Sequence, residues 1–255
     1  MSLSVDLYVH AASWLHRLDP RVKLWATVAG SIAAFLLNSP LLLLGFLLLI
    51  IGVLRGGRVP AGRITWALRG LLPLTLLILI IQPWFVTRGT PIFTLGPLRL
   101  TTDGVSIALI FAIRANVLAL LALLPLFTTR HDDLVRGLVQ LGLPYPWGMT
   151  ITLALRYIPV AAGLYATIRH AQEARGLDLQ HGGLIKRVRQ FVPILTALVI
   201  ASVRLSDQLA MAMTVRGLNA GPRTERRVLV MAGRDWIAAG LIGLWLAGLI
   251  VLRGV

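Results

Sequence analysis

Residues 24–54 read LWATVAGSIAAFLLNSPLLLLGFLLLIIGVL, a run of 31 residues without a charged side chain. At about 1.5 Å per residue, one straight helix of this length would exceed a bilayer core of about 30 Å. The sequence Asn-Ser-Pro at residues 38–40 interrupts the run, and proline is well suited to begin a new helix. The stretch therefore predicts a hairpin of two short transmembrane helices.

The composition is that of a membrane protein. Of the 255 residues, 57% are hydrophobic and 14% are charged, against about 25% charged residues in soluble domains. This excludes a soluble globular domain, and a disordered chain would be poor in Leu, Ile and Val. The net charge is +15, but the basic residues lie between apolar runs, so no nucleic-acid partner is expected. The chain has no cysteine, which excludes thiol chemistry.

Three further apolar stretches predict membrane spans, at residues 71–86, 105–127 and 236–252. Residues 149–171 are also apolar, but they contain Arg156, Pro159 and Arg169. We therefore interpret this stretch as lying outside the membrane. The sequence predicts an all-α integral membrane protein with about five transmembrane helices.

The distribution of basic residues orients these helices. Residues 129–235 contain 14 basic and 7 acidic residues, and smaller basic groups precede the first predicted span and separate the second from the third. By the positive-inside rule these segments face the cytoplasm. We predict a cytoplasmic N-terminus, a transmembrane part over residues 1–128, a cytoplasmic coupling domain over residues 129–235 and a C-terminal transmembrane helix over residues 236–255.

The predicted cytoplasmic segment has the pattern of three helices rather than that of a loop. The helices cover about residues 132–141, 147–175 and 184–216, and a glycine of the kind that commonly ends a helix follows each of them. The two longer helices are too apolar to face water. We expect their apolar faces to be covered by lipid, by contact between the two helices or by a partner protein.

The two long helices end in the same short pattern. Residues 174–176 read Ala-Arg-Gly and residues 215–217 read Val-Arg-Gly, and each is followed by Leu and then by Asp or Asn. An arginine in the last turn complements the negative end of a helix, so a single such end is ordinary capping. Two copies in one segment favour a second role, in which a cationic tip docks into an acidic groove of another protein.

Together these stretches resemble the transmembrane T component of energy-coupling factor (ECF) transporters, a family with cobalt, biotin and shared vitamin-uptake versions. Leu18-Asp19-Pro20-Arg21-Val22-Lys23-Leu24 resembles the family's N-terminal motif, and Thr128-Thr129 with residues 133–138 is similar to the run into its first coupling helix. Ala174-Arg175-Gly176 matches the first Ala-Arg-Gly motif. Val215-Arg216-Gly217 stands where the second is expected, with Val215 in place of alanine.

The resemblance implies a non-catalytic coupling subunit of an ATP-driven vitamin or metal-ion importer in a prokaryotic plasma membrane. Each Arg-Gly tip would dock on one of two ABC-type ATPases. These would bind ATP and Mg²⁺, so this chain would carry no cofactor. ATP hydrolysis would shift the two long helices and reorient a membrane-embedded, substrate-binding S component on their apolar faces. The candidate contacts for the S component are Ala161, Leu164, Ala197 and Ile200.

Other candidate chemistry is sparse. The histidines lack the spacing of a metal site, and no metal is expected at His10, His16, His131, His170 and His181. Arg114 lies within a predicted span. It is either a functional residue or a buried arginine satisfied by helix carbonyls or by a residue such as Gln82. The alternative function is a self-sufficient secondary transporter or another small membrane permease, although no acidic residue lies well inside a predicted span to bind a coupling ion.

Overall fold

The computed structural model describes residues 8–9, 11, 13–86, 90–95, 98–177, 183–218, 221 and 231–254. This part of the chain forms eight helices: α1 (Pro20–Leu36), α2 (Pro40–Gly56), α3 (Ala61–Phe85), α4 (Thr102–Thr128), α5 (His131–Gln140), α6 (Tyr145–Ala174), α7 (Leu184–Val215) and α8 (Gly233–Gly254). An antiparallel hairpin of β1 (Pro91–Leu95) and β2 (Leu98–Thr101) lies between α3 and α4. The predicted all-α class is confirmed, and the hairpin is an addition that the sequence analysis did not predict.

The predicted break at residues 38–40 separates α1 from α2. Pro20 and Pro40 begin these helices, where the missing backbone N–H has no partner to lose. Asp19 caps α1, because its Oδ1 accepts a hydrogen bond from the Arg21 backbone N–H at 2.9 Å. Each helix has 17 residues, which confirms the predicted pair of short helices.

The main hydrophobic core surrounds α4. This helix packs against α1, α2 and α3. Val117, Leu120 and Phe127 on α4 and Leu43 and Leu54 on α2 are fully buried. α8 packs against α1, so the last helix of the chain lies beside the first.

α3 and α4 approach closely at Gly104. A Cβ at this position would lie 2.7 Å from the Pro83 carbonyl oxygen, a backbone atom that cannot rotate away. Gly104→Ala is therefore expected to destabilise the fold by about 1–3 kcal/mol, as overpacking usually does. Gly45→Ala is the matched control, because its new Cβ would meet nothing within 4 Å. Thermal unfolding in detergent, followed by tryptophan fluorescence, measures the difference, and equal midpoints for the two variants would contradict the argument.

The chain divides into two compact units. One includes residues 149–228 and is formed by most of α6 and by α7. The other contains α1 to α5, the first residues of α6, and α8. α5 packs against α1, so it belongs to the second unit. The predicted boundaries at residues 128 and 235 separate transmembrane from cytoplasmic segments rather than compact units, and they stay a prediction.

Five helices in the described ranges are long and apolar enough to cross a membrane: α3, α4, α6, residues 188–215 of α7, and α8. By length and composition α6 therefore qualifies as a candidate span. α6 runs for 30 residues and continues through Pro159. Our interpretation that residues 149–171 lie outside the membrane concerns their location, and it stays a prediction. α1 and α2 are shorter than all five.

Candidate functional site: two arginine-tipped helix ends

The first arginine tip follows α6. Ala174 is the last helical residue, Arg175 is exposed, and Gly176 has a φ of +87°. The Gly176 N–H donates to the Glu173 carbonyl oxygen at 3.0 Å, and the Leu177 N–H donates to the Gln172 carbonyl oxygen at 3.0 Å. These two bonds define a Schellman motif, in which the positive φ is readily adopted only by glycine. The arginine therefore occupies the C-cap position.

The second tip, after α7, repeats this geometry. Val215 ends the helix and is 86% exposed, and Arg216 is its C-cap. Gly217 has a φ of +81°, and its N–H donates to the Thr214 carbonyl oxygen at 3.0 Å. The Leu218 N–H donates to the Met213 carbonyl oxygen, also at 3.0 Å. The predicted repeat of two helix ends is thus a repeat in three dimensions.

A third helix end shows that this cap does not require arginine. At the end of α5, Gly142 has a φ of +115°. The Gly142 N–H donates to the Val139 carbonyl oxygen and the Leu143 N–H to the Leu138 carbonyl oxygen, both at 3.1 Å. Leu141 stands at the C-cap. Since leucine serves equally well there, the arginines of the two long helices are available for another role.

The charged side chains of α6 nearest to its tip are paired with one another. Arg169 Nε lies 2.8 Å from Glu173 Oε1, and His170 Nδ1 lies 3.5 Å from Glu173 Oε2. Within the part of the chain that the structure describes, Arg175 and Arg216 form no salt bridge. Both guanidinium groups are therefore exposed cations at rigid helix ends, which suits an acidic surface on a partner.

α6 and α7 meet along a crevice of about 180 Å³. Tyr165 and Phe191 pack with their ring centroids 6.2 Å apart. Of the four predicted S-component contacts, Ala161 and Leu164 line this crevice, together with Ser202, Leu205, Ser206 and Leu209 of α7. Ala197 is half-buried and Ile200 is 50% exposed, and neither lines the crevice. Two of the four predicted S-component contacts thus lie in the crevice between α6 and α7, and the other two lie outside it.

The N-terminal motif is mostly buried, not displayed. Asp19, Pro20 and Lys23 are buried, and Leu18 and Arg21 are half-buried. A Cβ on Gly137 of α5 would lie 3.2 Å from Pro20 Cβ, so α5 packs directly on the start of α1. Arg21 Nη2 donates a hydrogen bond to Gln140 Oε1. The motif thus joins α1 to the end of α5.

Lys23 joins α1 to the end of α4. It is 2% exposed, and its Nζ donates to the Thr128 carbonyl oxygen at 3.0 Å and to Thr129 Oγ1 at 2.9 Å. The residue precedes the apolar stretch that begins at Leu24, and burial lowers the pKa of its ammonium group to about 8. Two of the segments that carry the family resemblance, residues 18–24 and 128–138, therefore contact each other.

Sequence reasoning missed Asp235. This residue lies in the first turn of α8 and is 2% exposed. Its Oδ1 accepts a hydrogen bond from the Asp19 N–H at 3.2 Å, and its Oδ2 accepts one from the Ala232 N–H at 2.8 Å. The only sequence signal was an acidic residue at a helix start, which is too common to identify a contact with a residue 216 positions away.

Arg114 binds two backbone carbonyls at the end of α1. Its Nε donates to the Ala34 carbonyl oxygen at 2.9 Å, and its Nη2 donates to the Leu37 carbonyl oxygen at 2.9 Å. The guanidinium also lies 5.4 Å from the centroid of the Phe35 ring. A helix end has carbonyls without partners, and inside a membrane these are costly to leave unsatisfied. The observed hydrogen bonds therefore agree with the interpretation that Arg114 is satisfied by helix carbonyls.

Arg114→Met is expected to destabilise the fold by about 2–4 kcal/mol, because it removes charged hydrogen bonds from two carbonyls. Arg69→Met is the control, since Arg69 is an exposed arginine of a neighbouring apolar helix. The two variants should be compared by thermal unfolding in detergent and by transport. Wild-type stability with lost transport would instead assign Arg114 a functional role.

Known proteins match the chain over most of its length. Residues 11–226 match the CbiQ family, described as a cobalt transport protein. The energy-coupling factor transporter transmembrane protein EcfT of Clostridium kluyveri is 33% identical over 250 residues, which cover 93% of this chain and 92% of that protein. EcfT of Heliobacterium modesticaldum is 35% identical over 246 residues, or 92% of this chain and 91% of that protein.

A longer relative also matches. A putative ABC transporter ATP-binding protein of Bifidobacterium longum is 31% identical over 251 residues, which cover 95% of this chain but 32% of that protein. The chain thus spans about a third of this relative and nearly all of the two EcfT proteins. Together with the five apolar helices, the matches identify a multi-pass membrane protein. The chain belongs to the CbiQ family, the transmembrane components of energy-coupling factor transporters.

Proposed function

We propose that this chain is the energy-coupling subunit of an ECF-type importer. Two ABC-type ATPases bind the ends of α6 and α7, one at each tip, and these ATPases bind ATP and Mg²⁺. A separate membrane-embedded S component binds the substrate, a vitamin or a metal ion. The chain itself catalyses no reaction and carries no cofactor.

The paired helix ends carry this proposal. Both have the same Schellman geometry and the same exposed arginine, while the end of α5 has the geometry without the arginine. Two equivalent cationic tips fit two equivalent acidic grooves, as a pair of like ATPases would offer. The names of the relatives support the same partnership, since one is called an ABC transporter ATP-binding protein.

The packing of α6 against α7 supports a movable linkage. The two helices form a unit of their own, and the crevice between them leaves about 180 Å³ unfilled. Loosely packed helices can shift past each other at less cost than helices in a close-packed core. Movement of the ATPases at the tips would therefore be transmitted along α6 and α7 to the S component.

The proposed location is a prokaryotic plasma membrane with the N-terminus in the cytoplasm. The excess of basic residues in 129–235 supports this orientation. It also places both arginine tips on the side where ATP is available. The lipid bilayer is then the third partner of the chain, after the ATPases and the S component.

A pull-down from native membranes tests the proposal. The tagged chain is extracted in mild detergent, and the co-purifying proteins are identified by mass spectrometry. Two ABC-type ATPases and a small apolar membrane protein are the expected result. Purified chain alone in vesicles is the counter-test, because transport without any ATPase would establish the alternative, a secondary transporter.

Ile200→Glu is expected to weaken binding of the S component more than binding of the ATPases. Ile200 is half exposed on α7 and lies outside the α6–α7 crevice, so its charge would enter an apolar contact without separating the two helices. Met211→Glu is the comparison, since Met211 is 71% exposed on the same helix but nearer to the tip. Quantitative co-purification of both partners measures the effect, and equal losses of both partners from Ile200→Glu would contradict the assignment.

A further inference from the structure

An apolar cavity lies among α1, α2, α4 and α8. Its volume is about 390 Å³, within the range of about 300–1,000 Å³ of small-molecule sites. Its walls include Ala26, Phe46, Leu49, Leu121, Ile242 and Trp245. Lys23 also borders it, but the ammonium group of Lys23 is bound to Thr128 and Thr129. The cavity therefore suits a hydrocarbon and offers almost nothing to a polar ligand.

Two arginines are close in sequence to residues that line this cavity. Arg17 stands between Leu15 and Leu18, which both line it, and Arg234 comes one helical turn before Ala238, another lining residue. Arg234 Nη2 donates to the Arg17 carbonyl oxygen at 2.9 Å, so the two residues contact each other. Both arginines are exposed. Two exposed positive charges are therefore adjacent in the chain to the cavity wall.

Among the described residues, the carboxylates closest in sequence to these arginines are buried. Asp19 and Asp235 are 6% and 2% exposed. Asp19 Oδ1 accepts from the Arg21 N–H, and the two oxygens of Asp235 accept from the Asp19 and Ala232 N–H groups. Both carboxylates are thus bound to backbone amides, whereas the two arginines are exposed.

We propose that the cavity binds one acyl chain of an anionic phospholipid, with the phosphate held by Arg17 and Arg234. An apolar space with an exposed arginine pair next to its wall residues matches the two parts of such a lipid, and basic pockets between transmembrane helices are suited to anionic headgroups. α8 also presents exposed apolar side chains at and beside the cavity, since Leu241 and Leu244 are 64% and 75% exposed. The lipid would fill the space between α8 and the other three helices and so fasten α8 to them.

Native mass spectrometry of the full chain tests the site. The detergent-purified chain is incubated with phosphatidylglycerol or with phosphatidylcholine, and the bound lipids are counted. We expect one tightly bound phosphatidylglycerol per chain and at least about tenfold weaker binding of phosphatidylcholine, a difference of about 1.4 kcal/mol. Arg17→Gln with Arg234→Gln should abolish this preference. Arg69→Gln with Arg156→Gln, two exposed arginines on α3 and α6, helices that do not line the cavity, should retain it.

Variants that fill the cavity provide a second test of the proposed lipid site. Ala26→Phe puts a ring into the space and should remove the bound lipid, whereas Val28→Phe, at a 53% exposed position of α1 outside the cavity, should not. If Ala26→Phe does not yield a monodisperse protein, Leu49→Trp fills the cavity from α2 and gives the same test. Equal lipid binding by the filled and control variants, or equal binding of the two lipids by the wild-type chain, would overturn the proposal.

Discussion

Arg175→Glu combined with Arg216→Glu is expected to abolish ATP-driven transport and to release both ATPases, while the chain still inserts into the membrane. Each substitution reverses the charge of an exposed C-cap residue. If the tips dock into grooves as proposed, each arginine is buried in the interface, and removing one partner of a buried interfacial charge pair costs about 2–5 kcal/mol. The smaller value already corresponds to about 30-fold weaker binding at each tip.

The fold itself should tolerate these changes. The end of α5 has the same Schellman hydrogen bonds with Leu141 at the C-cap, so the motif depends on the glycine and not on the residue before it. A control with the same change in net charge is Arg55→Glu combined with Arg69→Glu, since both residues are exposed and lie on other helices. This control should keep both ATPases bound.

Co-purification of the ATPases with the tagged chain is the primary measurement. Transport assays and the amount of chain in the membrane fraction complete it. ATPases that stay bound to the double variant in wild-type amounts would refute the docking role of the tips. The single variants Arg175→Glu and Arg216→Glu add a further comparison. Each of them should release one ATPase, because each tip is proposed to bind one.

Asp235→Ala is expected to destabilise the fold by about 2–5 kcal/mol and to loosen α8 from α1. The variant leaves the buried Asp19 N–H and the Ala232 N–H without their acceptor, and unsatisfied buried donors are costly. It also removes a negative charge near the buried Lys23 ammonium. The loss of a partner from a buried charged cluster is more damaging than the loss of a surface ion pair.

Asp103→Ala is the matched control for Asp235→Ala. Asp103 is likewise an acidic residue in the first turn of a helix, but it is exposed. Thermal unfolding of the purified variants gives the stability difference. Cleavage between α7 and α8 by a protease reports on the docking of α8, and should become faster in Asp235→Ala. Equal unfolding midpoints for the two variants would show that the Asp235 contacts add nothing to stability.

Local patterns were sufficient for the helix ends. A glycine after an apolar helix is predictable because the left-handed conformation is cheap only without a Cβ. For this reason the ends of α6 and α7 were predicted from Ala174-Arg175-Gly176 and Val215-Arg216-Gly217, and the structure places the glycines at φ values of +87° and +81°. That both ends have the same hydrogen bonds followed from the repeat in the sequence. The docking role of the arginines stays a prediction.

The sequence analysis missed the β1–β2 hairpin, and its placement of α6 outside the membrane stays a prediction. The β1–β2 hairpin was not predicted, because its short strands are stabilised by pairing with each other and not by a long apolar pattern. α6 was interpreted as lying outside the membrane, because Arg156, Pro159 and Arg169 interrupt its apolar residues. Its uninterrupted 30-residue helix shows that these residues do not end it.

The sequence by itself determined the helical membrane class, the break between α1 and α2, and the glycine-terminated ends of the long helices. Each of these depends on residues close together in the chain, where composition and local conformational preference act directly. Only the tertiary structure decided that Lys23 meets Thr128, that Arg114 caps α1, and that Asp235 holds Asp19. These contacts join residues that are 80 to 216 positions apart. Their partners are selected by how the helices pack around α4, which no local pattern specifies.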